Sequence, residues 1–225
     1  MNNFLLIAPI LLFSMVAHEY AHGYAALRQG DDTAQKLGRL TWNPLKHIDP
    51  FMTLLMPIAT FLGSGGRMAF GGAKPVPVDP RLYRNYRRGD IIVSLAGVTV
   101  NVLLAIVFAL LVVPLGLLGR AVPLLNDSLA IVQSMFVYGI SINLVLAAFN
   151  LIPIPPLDGS HVLKHLLPLR WSLRYEQFGR YGLIVLIALL WWGRSALNAW
   201  MSPAFAIAGF ALRAVAPFIL ASPWT

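Results

Sequence analysis

From Ile91 to Leu118 the chain runs without one ionisable side chain, and no other feature restricts its fold as strongly. The stretch exceeds the roughly 20 apolar residues that a helix needs to cross a bilayer. In hydrocarbon no water satisfies the backbone, so such a segment has to be helical. Ser128–Ile152 repeats the pattern, free of charge but carrying Asn143 and Asn150. Phe4–Leu27 is a third candidate, interrupted by three ionisable groups. Towards the C-terminus, Gly182–Trp192 is short and Ser195–Leu220 is longer but holds Arg213. These two are expected to form a helical hairpin, with Trp191, Trp192, Arg194 and Trp200 at its interfacial turn.

Composition agrees. The chain is 58% hydrophobic and 12% charged, where a soluble domain carries about a quarter charged residues. The net charge of +8 comes without basic stretches interleaved with stacking aromatics, so nucleic acid is not an expected partner; the lipid bilayer is. Cysteine is absent, which excludes disulfides, thiolate ligands and thiol catalysis. The N-terminal apolar run lacks a basic leader and a cleavage site, so it reads as a retained helix.

Basic residues set the expected topology. Phe51–Leu62 is short for a span and contains Pro57, which suggests a re-entrant or interfacial segment. Residues 28–90 then form one loop holding Arg28, Lys36, Arg39, Arg84, Arg87 and Arg88 among others, while the 119–127 loop holds Arg120 alone. Basic residues mark the cytoplasmic side. The N-terminus is therefore expected outside and the 28–90 loop inside, in a prokaryotic plasma membrane.

The ionisable groups of the first apolar segment are His18, Glu19 and His22, in "HEYAH". Charge inside a span is costly and functional by default. On a helix, residues four apart share a face, so both imidazoles can hold one zinc ion while Glu19 takes a proton from its bound water. The alternative is a pair of satisfied structural histidines beside a buried glutamate. A catalytic zinc also wants a third protein ligand. Asp158 stands out, in "FNLIPIPPLDGS", just after three prolines that end a span on the same expected side as Leu27. Asp158 and Gly159 could instead only make a turn, and His161 with His165 form a rival pair four residues apart.

These residues carry a resemblance. "HEYAH" in an N-terminal span, followed after a long gap by "NLIPIPPLDG", resembles the site-2 protease family of intramembrane zinc metalloproteases. "RLTWNPLKHIDP", "GGAKPVPVDP" and "SLAGVTVN" resemble family segments in the same order. The resemblance implies an all-α polytopic fold: a three-helix catalytic core (Phe4–Leu27, Ile91–Leu118, Ser128–Ile152) plus the C-terminal hairpin. Residues 1–165 would form the core and 166–225 the hairpin of the same domain. It implies one Zn2+ per chain on His18, His22 and Asp158, with Glu19 as catalytic base. Asn101 would lie near the bound peptide, with an interhelical hydrogen bond as the other reading. Gly71, Gly72, Lys74, Pro75 and Val76 would engage substrate as part of a small membrane-associated β-hairpin or re-entrant region between the first two core helices. His47 matches a motif position without an assigned role. The chain departs from the family at Ala96-Gly97-Val98, where a proline often follows the glycine, and the loop has no room for a PDZ domain. The expected activity is zinc-dependent cleavage of membrane-protein substrates near the cytoplasmic face. A non-catalytic zinc-binding membrane protein, transporter or pseudoprotease, is the alternative.

Overall fold

The computed structural model describes residues 2–63 and 71–221. Among them every regular element is helical. Helix α1 covers Asn2–Gln29, α2 Thr33–Lys36, α3 Met56–Gly63, α4 Tyr86–Ala121, α5 Asn126–Asn150, α6 Asp158–Leu166, α7 Leu169–Phe178, α8 Gly182–Trp192 and α9 Arg194–Val215. The ends are specified locally. Gly30 takes φ +113° after α1; its N–H donates to Leu27 O and that of Asp31 to Ala26 O, the paired closure for which glycine is preferred. The Asn85 side chain accepts from Arg88 N at 2.9 Å and caps α4.

Among the described residues, four helical segments are long and apolar enough to cross a membrane: Phe4–Gln29, Tyr86–Ala121, Pro123–Asn150 and Arg194–Phe218. The C-terminal hairpin thus has one arm of spanning length. The other, α8, reaches about 16 Å at 1.5 Å per residue, roughly half a hydrocarbon core. Pro50–Leu55 is a π-helical turn leading into α3; together they cover about 20 Å, too short to span.

The chain divides into two compact units, residues 1–14 with 98–225 and residues 15–97. In the first, Ile10, Phe108, Val112, Ile140 and Leu144 are buried with Ala204, Ala208 and Val215 of α9. The alanines let α9 pack closely on α5, and Trp200 Nε1 donates to Ala148 O at 2.9 Å. Gln133, 1% exposed, ties the chain's last described turn to the bundle. Its amide donates to Val112 O and Phe218 O and accepts from Leu220 N.

A polar node lies in the same core. Ser14, Asn101 and Asn143 are all 0% exposed. Asn101 Nδ2 donates to Asn143 Oδ1 at 2.8 Å, and Asn143 Nδ2 donates to Ser14 Oγ at 2.8 Å. The node joins α1, α4 and α5 where apolar packing gives little directional preference. Asn143→Leu removes both interhelical bonds and is expected to cost about 1–2 kcal/mol, lowering the detergent melting temperature by a few degrees. Unchanged melting would show that the node contributes nothing.

In the second unit Ala26, Tyr83 and Val93 form the buried cluster. The described part of the expected β-hairpin, residues 71–79, forms no strand; the stretch 64–70 lies outside the described residues. The cause is in the sequence: Pro75 and Pro77 have no N–H to offer a neighbouring strand. The segment is instead a strap, several of whose backbone groups bond to loops and to α1.

Candidate metal centre

His18 and His22 stand one turn apart on α1, so the helix alone brings their rings together. The rings meet edge to face with centroids 4.6 Å apart, and the two Nε2 atoms are 2.9 Å from each other. His18 is 8% exposed and His22 is half-buried. On the other side of the His22 ring, Nδ1 lies 2.8 Å from Val93 O. A carbonyl can only accept, so Nδ1 carries the hydrogen and Nε2 presents its lone pair towards His18.

Glu19 is held by the strap. Its Oε2 accepts the Val76 N–H at 2.8 Å. Val76 is itself 6% exposed, and a side chain on Gly23 would collide with it, at 2.9 Å from Val76 Cγ1. Further anchors fix the strap on both sides of this bond. Thr53 Oγ1 donates to Gly72 O at 2.7 Å. Lys74 N donates to His47 O at 2.7 Å. The Arg39 guanidinium donates to Lys74 O and Pro75 O. At its far end Asp79 N donates to Asp31 Oδ2 at 2.7 Å, and Asp31 is fully buried. Arg81, hydrogen-bonded to the Asp79 side chain, holds that half-buried carboxyl below the usual carboxylate range. Burial, aided by the charges of Asp90, Asp31 and Asp79, pushes the nearby Tyr83 phenol well up.

The other residues singled out from the sequence fall as follows. Asp158 is the first residue of α6 and half-buried; His161, exposed, and His165, half-buried, follow on the same helix. Asn101 sits in the polar node, its amide bonded to Asn143. His47 is 1% exposed; its Nε2 donates to Thr41 O at 2.9 Å while its own carbonyl holds Lys74, so it anchors the strap. Sequence reading passed over Val93, which acts through a carbonyl that every residue possesses. It also left Gly97 without a role, although a glycine inside a span is a visible signal.

The family model of peptidase family M50 matches residues 6–122 and 121–192. The chain belongs to peptidase family M50. Curated M50-like relatives agree. YwhC of Bacillus subtilis is 39% identical over 83% of this chain and 79% of its own length. Rip2 of Mycolicibacterium smegmatis is 30% identical over 88% of this chain and 70% of its own, and Rip2 of Mycobacterium tuberculosis is 32% identical over the same two shares. The names of all three assign them provisionally to the zinc metalloproteases. No solved structure is a significant match. This M50 chain is thus a multi-pass membrane protein of the metalloprotease class, and its cofactor is Zn2+.

The histidines suit that ion. The two Nε2 atoms, 2.9 Å apart, are held either by a hydrogen bond, His18 donating to the His22 lone pair, or by a cation that takes the proton's place. The Nδ1–carbonyl bond of His22 is of the kind that, in zinc sites, orients an imidazole and raises its basicity.

Proposed function

We propose that this M50 chain is an intramembrane endopeptidase of the site-2 type, cutting peptide bonds of membrane-protein substrates within or beside the bilayer. The observation that carries the reading is the convergence of His18 and His22 on one face of α1, a helix long and apolar enough to span. His18, His22 and Asp158 hold one zinc ion per chain. The support for Asp158 is its place at the start of α6, directly after the three-proline loop, in the motif that resembles the family's. Zinc, when bound, polarises the scissile carbonyl and lowers the pKa of a bound water towards 7. Glu19 would accept the proton of the attacking water and deliver it to the leaving amine. The Val76 N–H fixes the Glu19 carboxylate through Oε2, leaving Oε1 to carry the proton. The Val93 carbonyl keeps His22 in the tautomer that a ligand needs.

A transmembrane helix hides its carbonyls in internal hydrogen bonds, so a substrate must unwind locally before it is cut. Residues 71–76 border Glu19 through Val76 and are the segment that would engage the unwound stretch. At 1.5 Å per residue His22 lies roughly 8 Å from the Arg28 end of its helix, which supports cleavage near the cytoplasmic face with the N-terminus outside, in a prokaryotic plasma membrane. Residues 1–165 would carry the peptidase core and 166–225 a hairpin of the same domain.

The test is the metal content of detergent-purified protein. About one zinc per chain is expected, lost in His22→Ala and weakened in Asp158→Asn. Full zinc in both variants would remove the ligand set, and the proposed chemistry with it.

A further inference from the structure

Helix α4 meets the histidine pair through a backbone carbonyl and a glycine. Val93 gives its carbonyl to His22 Nδ1, and one turn further on stands Gly97. A Cβ at Gly97 would lie 2.5 Å from His18 Cε1 and 2.6 Å from the Nε2 atoms of both His18 and His22. Side-chain carbons do not approach other atoms so closely, so something would have to shift. The neighbours are stiff rings, and His22 cannot retreat without stretching its bond to Val93 O. Other glycines of this unit differ. A Cβ at Gly23 would meet Val76, Leu40 and Ala34, and one at Gly89 would meet Tyr83. Those are packing glycines against apolar or ring atoms. At Gly97 the nearest atoms are all imidazole, and two of the three are the Nε2 nitrogens of His18 and His22.

We propose that Gly97 is a positioning residue of the metal centre: its missing side chain keeps open the space on which the His18 and His22 lone pairs converge. The inference rests on the reading of these histidines as ligands. Any side chain at 97 pushes the two Nε2 atoms apart or takes the volume that the ion and its water require. Alanine is the better helix former, which offsets part of the cost of moving the rings in the metal-free protein.

The experiment compares wild type, Gly97→Ala, Gly23→Ala and His22→Ala as purified full-length protein. Each is stripped of metal, melted, and titrated with Zn2+ and with Co2+, whose visible spectrum reports the ligand geometry. Gly97→Ala is expected to weaken zinc at least tenfold, the low end of outer-contact effects, and to alter the Co2+ spectrum. Its metal-free protein should still fold, and zinc affinity measured on the folded fraction should already be weakened. Gly23→Ala should lower melting while keeping wild-type zinc affinity in the folded fraction. Wild-type affinity in Gly97→Ala beside lost zinc in His22→Ala would overturn the role of Gly97 alone. A loss of zinc in Gly97→Ala that only follows loss of folded protein would also overturn it. Unchanged zinc in His22→Ala would overturn the ligand reading, and the role of Gly97 would fall with it.

Discussion

Glu19→Gln is expected to abolish peptide hydrolysis while leaving zinc bound. The substitution is close to isosteric and changes little of the surroundings. The strap donates a backbone N–H from Val76 to the Glu19 side chain, and the glutamine carbonyl oxygen accepts the same bond. His18 and His22 keep their spacing because α1 sets it, and His22 keeps its bond to Val93 O. What disappears is basicity. An amide cannot take a proton from water near neutral pH, and losing a general base usually costs about 10²–10⁴-fold in rate. The measurement is single-turnover cleavage of a membrane-anchored peptide, paired with zinc content. Hydrolysis at the wild-type rate would end the assignment of Glu19 as base. Loss of zinc together with activity would instead make Glu19 part of the metal's support. Val76 offers a useful contrast, since its contribution is a main-chain N–H and side-chain replacement leaves that donor in place.

The membrane helices were legible in the sequence because bilayer and backbone together allow one solution for a long uncharged stretch. Ile91–Leu118 lies within α4 and Ser128–Ile152 nearly coincides with α5. His18 and His22 were legible as a pair because a helix fixes the distance between positions four apart. The strap was legible only in part. The resemblance pointed to a β-hairpin or re-entrant region here, but a β-hairpin needs donors that Pro75 and Pro77 lack. The bonds that replace a partner strand come from Glu19, Arg39, Thr53 and the carbonyl of His47, far off in sequence. No local pattern encodes them. Val93 and Gly97 escaped for a related reason: one works through a backbone atom and the other through an absent one. Pattern reading weighs side chains.

Gly159→Ala should damage the fold and, if Asp158 is the ligand proposed above, zinc binding too, for one steric reason. A Cβ at this position would stand 2.2 Å from Leu151 O and 2.9 Å from Ile152 O. These are backbone atoms of the turn that follows α5, so no side chain can swing aside. The turn is pinned from elsewhere too. Ile154 N bonds to Ile152 O and Leu157 N to Ile154 O, Tyr175 Oη donates to Pro153 O at 2.9 Å, and Gly182 leaves room for Pro155 O, which a Cβ there would approach to 2.1 Å. With the turn fixed, the start of α6 has to give way, and Asp158 is the residue that begins it. Overpacking of this kind costs about 1–3 kcal/mol, and a displaced ligand is expected to lose about 10–100-fold in zinc affinity. Asp158→Asn separates the two effects: it should weaken zinc with little change in melting, because the amide occupies the same space. Gly159→Ala should lower melting and zinc affinity together. Normal melting with normal zinc in Gly159→Ala would mean that the turn is softer than its backbone contacts imply. Lower melting with full zinc affinity would mean that Asp158 does not depend on the turn, and would count against its place among the ligands.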